Sequence, residues 1–258
     1  MGVCKPGSGA GCRAARAARW LWLWIAALSA AASGACGGGD DSEAGSAGNG
    51  SGKGECREIR EIPEETPGEH PDVQGLSTQD TYYRSDIAEG KPGTPLTLQL
   101  TLMHADAACE PLAGANVEVW HADAAGVYSQ YASGASVGAT SMMALRGIQS
   151  ADNAGRVTFR TIYPGWIAAR AAHVHVRVYR DLHLRKTTQL GFPDATSDAV
   201  YAATNLYAKG PNPTKNAADS VFGANVGGAA TQLASVTGDN ASGYVASLTL
   251  AIGDYSVD

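Results

Sequence analysis

Leu96-Thr97-Leu98-Gln99-Leu100-Thr101-Leu102 decides the fold class. Successive side chains of a strand point to opposite faces, so this strict alternation predicts a strand with its leucines buried and its Thr/Gln face wet. Pro92-Gly93 and Pro95 punctuate its start. The same period recurs on both sides. Val117 and Val119 alternate with Asn116 and Glu118, Val157 and Phe159 with Arg156, Thr158 and Arg160, and Tyr244, Ala246, Leu248, Leu250 and Ile252 repeat it late in the chain. Asp123-Ala124-Ala125-Gly126 and Asp152-Asn153-Ala154-Gly155 separate these runs with residues suited to tight turns. One short helix is expected over about Ser197 to Tyr207, with Val200, Ala203, Thr204 and Tyr207 on one face and Ser197 placed to cap the start. Many short strands and almost no helix predict an all-β fold, an antiparallel sandwich or barrel with long loops.

Composition agrees with a folded body: of 258 residues, 44% are hydrophobic and 17% charged, values usual for globular chains. The formal charge of −6 is unevenly spread. Residues 1–35 hold Lys5, Arg13, Arg16 and Arg19 and no acid, leaving 15 basic and 25 acidic groups elsewhere. A body that acidic lacks the clustered cations that displace counterions from a phosphate backbone, which removes nucleic acid as a partner.

The N-terminal segment reads as an export signal. After the basic stretch, Trp20 to Ala32 carry no charge for 13 residues, too short for an ordinary spanning helix but suited to a secretory signal. Ser33-Gly34-Ala35-Cys36 then resembles a bacterial lipoprotein cleavage box, with Ser33 where Leu is usual. Residues 1–35 are thus expected to be a signal peptide and Cys36 a lipid anchor, which would place the protein in the cell envelope; plain cleavage after Ala35 is the alternative. Residues 36–56 form a linker: eight of the nineteen residues from 37 to 55 are Gly and three are Ser, a composition that cannot bury a core. The folded domain is expected over residues 57–258. With Cys36 set aside, Cys56 and Cys109 suit a disulfide in an exported chain, or two separate thiols.

The chemistry concentrates in Ala172-His173-Val174-His175-Val176-Arg177-Val178-Tyr179. In a strand, Val174, Val176 and Val178 share one face and His173, His175, Arg177 and Tyr179 the other. Two imidazoles two positions apart can converge on one metal ion, although a bare His-x-His also fits a wet outer strand face.

The surrounding text is more specific. Pro111 to Tyr128, with Val117-Glu118-Val119-Trp120-His121-Ala122-Asp123 and Gly126-Val127-Tyr128, resembles the first signature of the intradiol ring-cleavage dioxygenases. Arg146-Gly147-Ile148-Gln149, Asp152, Gly155, Phe159, Thr161-Ile162-Tyr163-Pro164-Gly165, Arg170 and His173-Val174-His175 continue the match, and Thr187-Thr188-Gln189-Leu190 completes it. The resemblance covers roughly residues 57–252. It is nearest to the exported branch, whose Ile-Pro-Glu-Glu-Thr motif stands here at Ile62 to Thr66. It implies a β-sandwich and Fe(III) chemistry that cleaves catechol-type aromatic diols with O2 to muconate-type diacids. On this chain the implied ligands are Tyr128, His173 and His175, with Arg170 stabilising charge on the ring and Gln189 lining the diol pocket.

One position departs from the family pattern. Where a second ligand tyrosine follows Pro164-Gly165 by two residues, this chain has Ile167, which can neither bind iron nor accept a proton. Three outcomes follow: iron held by Tyr128, His173 and His175 alone, replacement by another phenol such as Tyr163 or Tyr131, or a noncatalytic binding module on the same scaffold. His121 reads as a histidine at the surface or behind the ligands, and His70, His104 and His183 have no ligand spacing. Trp120 and Trp166 read as core or pocket wall.

Overall fold

The structure is a computed structural model that describes residues 61–64, 78–105, 110–129, 143–203, 205–223 and 231–253, all within the compact unit Asn49–Asp258. Among the described residues, eight strands and one α-helix follow in the order β1 (Pro95–His104), β2 (Asn116–Trp120), β3 (Arg146–Ser150), β4 (Arg156–Ile162), β5 (His173–Arg180), β6 (His183–Gly191), α1 (Asp194–Ala203), β7 (Ser235–Asp239) and β8 (Gly243–Ile252). They form two four-stranded sheets, β4-β1-β8-β7 and β3-β2-β5-β6. Neighbours pair antiparallel except β1 and β8, which run parallel from Leu96↔Tyr244 to His104↔Ile252.

The leucine alternation of β1 does what its period requires. Leu96, Leu98, Leu100 and Leu102 are buried, while Gln99 is exposed and Thr97 and Thr101 lie between. They share one core with Val157, Phe159, Ala246 and Leu250 of their own sheet and with Val117, Val119, Val174, Val176, Val178 and Leu190 of the other. Each such side chain contributes on the order of 1.5–3 kcal/mol on leaving water. The fold is therefore a β-sandwich. The segment around Ile62 spans it, since the Ile62 amide donates to the Ala251 carbonyl at the end of β8, and Glu64 accepts from the Thr187 amide of β6.

The helix lies earlier than its apolar pattern implies. It runs Asp194–Ala203 rather than Ser197 to Tyr207, because the Pro193 carbonyl already accepts from the Thr196 and Ser197 amides. Ser197 is therefore not a cap: it is buried inside the helix with its hydroxyl 2.8 Å from that of Tyr163. Tyr207 lies beyond the helix and turns into the core, where its hydroxyl donates to the Tyr163 carbonyl and accepts from the Thr94 amide. The signal segment, Cys36, Cys56, Cys109, His70 and Tyr131 lie outside the described residues.

Candidate functional site

A stapled turn delivers Tyr128. The Asp123 carboxylate accepts from the Ala125 and Val127 amides, both at 3.0 Å, and the Asp123 amide donates to the Val127 carbonyl at 2.8 Å. Gly126 closes the turn at φ 75°, where an L side chain is strained, and a Cβ there would strike the Trp166 carbonyl. Gly165 answers from the facing loop: its amide donates to the Asp123 carbonyl, and a Cβ there would lie 2.6 Å from the Ala124 carbonyl. Two glycines thus let the loop after β2 and the loop after β4 touch, which sets Tyr128 beside residue 167.

Strand β5 supplies the histidines. Its valines enter the core as expected, but its other face is no wet surface: His173, His175 and Arg177 are all buried. The Tyr128 hydroxyl lies 2.9 Å from His173 Nε2 and 3.2 Å from His175 Nε2. His173 Nδ1 is 2.7 Å from the Ala171 carbonyl. A carbonyl only accepts, so Nδ1 carries a hydrogen, which leaves Nε2 facing the Tyr128 hydroxyl. Three residues separated by up to 47 positions thereby meet around one point.

Arg170 and Gln189 also come together. Arg170 Nη2 donates to Gln189 Oε1 at 2.6 Å, and Gln189 pairs across the sheet with His175. The rest of the guanidinium is gripped by Asp219, which sequence reading missed. Asp219 Oδ2 accepts from Arg170 Nε at 2.9 Å and from the Ala171 amide at 2.7 Å, while Oδ1 accepts from the Val221 and Phe222 amides. Burial on its own would raise the Asp219 pKa; the bond to Arg170 and those backbone donors outweigh it and hold the carboxylate below its ordinary range. No local motif marks Asp219; only its position 49 residues after Arg170, beside a turn, connects the two.

The departures also have places. Ile167 is half-buried and packs with Trp120, Ala122 and Tyr128, so an apolar side chain fills the position beside the phenol. Tyr163 is not a substitute. Its ring belongs to the core, tilted 43° against Phe192 with centroids 4.7 Å apart, its hydroxyl turns to Ser197, and burial keeps it protonated far above the usual range. His121 is not a surface residue. It is buried with Nδ1 2.8 Å from the Ala122 carbonyl and Nε2 2.7 Å from the Thr161 hydroxyl, and burial lowers its pKa to about 4.

A row across the second sheet was also missed as a unit. Register aligns Arg146 of β3, Trp120 of β2, His175 of β5 and Gln189 of β6. One pair of positions along β2 lies Glu118, fully buried, accepting from Arg146 Nε at 2.9 Å and from the Tyr179 hydroxyl at 3.0 Å, with Arg177 3.9 Å away. Among the described residues no group of three or more His, Cys, Asp or Glu side chains is placed to hold a metal; the convergent donors are two imidazoles and a phenol.

Residues 71–210 match the family described as "Dioxygenase". Catechol 1,2-dioxygenase 1 of Acinetobacter lwoffii is 32% identical over 151 residues, 50% of this chain and 47% of that protein, so the match spans about half the relative's length. Among solved structures, an intradiol ring-cleavage dioxygenase from Tetranychus urticae superposes with TM-score 0.66 at 24% identity, over 77% of this chain and 97% of that one. The dioxygenase domain of a dioxygenase and carbohydrate-binding protein fusion from Streptomyces sp. SirexAA-E gives TM-score 0.54, again at 24% identity, over 76% and 100%. The two structures share the sandwich, and the matched family covers more than half of the sequence, from before β1 to beyond α1, including every residue of the cluster around Tyr128. This chain belongs to the intradiol ring-cleavage dioxygenase family.

Proposed function

We propose that the protein is a non-haem Fe(III) dioxygenase of the intradiol type that opens catechol-type aromatic diols with O2 to muconate-type diacids. The observation that carries this reading is the convergence of Tyr128 Oη, His173 Nε2 and His175 Nε2. Donors about 2.0–2.1 Å from one ion, at angles between square and tetrahedral, lie about 2.8–3.4 Å apart, and the two Tyr128 distances of 2.9 and 3.2 Å suit that spacing. The donor types suit it as well, since hard ferric ion favours phenolate oxygen and imidazole nitrogen. Tyr128, His173 and His175 would hold the iron, which supplies a Lewis-acid centre for catecholate oxygens.

The chain's own groups do the remainder. The Ala171 carbonyl fixes the His173 tautomer. Asp219 holds the Arg170 guanidinium through Nε, and Gln189 takes one N–H of Nη2, leaving further N–H donors for negative charge developing on a ring oxygen. Gln189 in turn keeps its amide nitrogen for orienting the diol. Ile167 presents hydrocarbon where the wider family pattern has a second phenol, so no side chain at that position can accept a proton of the diol, and those protons would leave to water.

Ile167 also motivates the second reading, a noncatalytic binding module. An oxygen electrode separates them: the enzymatic reading predicts catechol-dependent O2 uptake by the iron-loaded protein that His173→Ala abolishes, whereas diol binding without uptake supports the module. Export and lipid anchoring at Cys36 belong to the same proposal and place the reaction in the cell envelope.

A further inference from the structure

Trp120 is 2% exposed, and its indole N–H has no hydrogen-bond partner among the described residues. Leaving a buried donor unmade costs on the order of 1–3 kcal/mol. What the indole does engage is its large flat ring. That ring stands in the sheet row between Arg146 and His175. The His175 imidazole lies parallel to it, with an interplanar angle of 6° and centroids 4.8 Å apart. The guanidinium carbons of Arg146 and Arg177 each lie 5.1 Å from its centroid. Both guanidinia are buried and face the Glu118 carboxylate, which receives Arg146 Nη2 at 2.5 Å.

The geometry points to Trp120 as a positioning residue: braced by the Glu118–Arg146–Arg177 cluster, it fixes the plane of the His175 imidazole so that Nε2 meets Tyr128 and His173. The chain of cause is short. A buried carboxylate fixes two guanidinia, cation–π attraction holds the indole against them, and the indole dictates the tilt of the stacked imidazole. A ring free to rotate about its χ2 would carry Nε2 away from the common point that His173, tied to the Ala171 carbonyl, already addresses. This rests on the metal-site reading above, but the orientation of His175 in the metal-free protein does not.

The test pairs Trp120→Phe with Trp120→Leu in the full chain and reads two signals. In the metal-free protein, NMR of the histidine ring protons should show one sharp His175 resonance shifted upfield by the indole, assigned by its loss in His175→Ala. The shift should shrink in Trp120→Phe. In Trp120→Leu it should vanish with line broadening, while His173 is unmoved. Ferric affinity should fall about 10- to 100-fold in Trp120→Leu, the usual cost of losing a residue that orients a ligand, and be partly rescued in Trp120→Phe. Thermal stability should fall little in Trp120→Phe, because an aromatic ring still fills the buried strand position; that split separates positioning from simple packing. An unchanged His175 resonance in folded Trp120→Leu overturns the proposal, as does a ferric affinity equal to wild type. If the leucine variant does not fold, Glu118→Gln and Trp120→Phe give the same readings, and unchanged His175 signals in both would be decisive against it. If the wild type binds no ferric ion, the metal-site reading fails while the NMR arm still decides whether Trp120 orients His175.

Discussion

His121 is buried with both ring nitrogens occupied, and its pKa of about 4 against an ordinary 6.5 has a direct consequence for stability. Between those values the unfolded chain binds a proton that the folded chain refuses, so this contribution is complete above pH 6.5 and is lost as pH falls toward 4. Urea unfolding of wild type should lose about 1.4 kcal/mol per pH unit more across that window than His121→Gln does; equal slopes would show that His121 is protonated inside the fold. Asp219 behaves in the same sense at lower pH. Its folded pKa is depressed, so its stabilisation is present above the ordinary carboxylate value and disappears with acid below it. Asp219→Ala leaves Arg170 buried without its carboxylate and should cost about 3–5 kcal/mol, read by urea unfolding. Asp219→Asn, nearly the same shape, should keep the fold better than Asp219→Ala, with a smaller loss in the same urea unfolding.

At the scale of elements, the decisive contact is between two loops. Gly126→Ala must place a side chain at φ 75° and against the Trp166 carbonyl. The backbone term alone costs about 1–2 kcal/mol, so calorimetry should show a lower Tm and iron titration a weaker site, because the turn that carries Tyr128 is displaced. An alanine variant matching wild type in both would mean the two loops do not meet. Strands whose faces divide oil from water were legible in the sequence: β1, β4 and β8 follow their alternation. On β2 and β5 the valine faces were legible, but the polar faces are buried, because Glu118, His173, His175 and Arg177 are enclosed by one another and by the loops that carry Tyr128 and Arg170. The others were not, for physical reasons. On β6, Lys186, Thr187, Thr188 and Gln189 are all buried although polar, because they serve hydrogen bonds and the site. On β7 almost every residue is exposed at a sheet edge. The helix ends were misplaced because Pro193, not Ser197, opens the first turn. The histidine pair and Tyr128 were legible through motif resemblance, whereas Asp219 and the Glu118 brace depend on contacts between residues far apart in the chain.

At the scale of the whole molecule, residues outside the strands tie the sheets together. Ile62 is 1% exposed, bonds to the end of β8 and belongs to the main core, while Glu61 receives the buried Lys186 ammonium of β6 at 2.7 Å. Ile62→Ala should therefore cost about 2–5 kcal/mol, as for an aliphatic side chain inside a strand, which urea unfolding will report; a loss below 1 kcal/mol would mean the segment is only draped over the surface. No helix among the described residues is long and apolar enough to cross a membrane. On the proposal that Cys36 carries a lipid, Cys36→Ala should abolish incorporation of a labelled fatty acid; labelling that survives the substitution would contradict that anchor. The central claim is that one phenol and two imidazoles share an ion. The most direct measurement is visible absorption of the protein titrated with ferric ion, wild type beside Tyr128→Phe: the account predicts one iron per chain and a phenolate-to-iron charge-transfer band that the phenylalanine variant lacks, and iron-loaded wild type without the band, or a band that survives Tyr128→Phe unchanged, would contradict it.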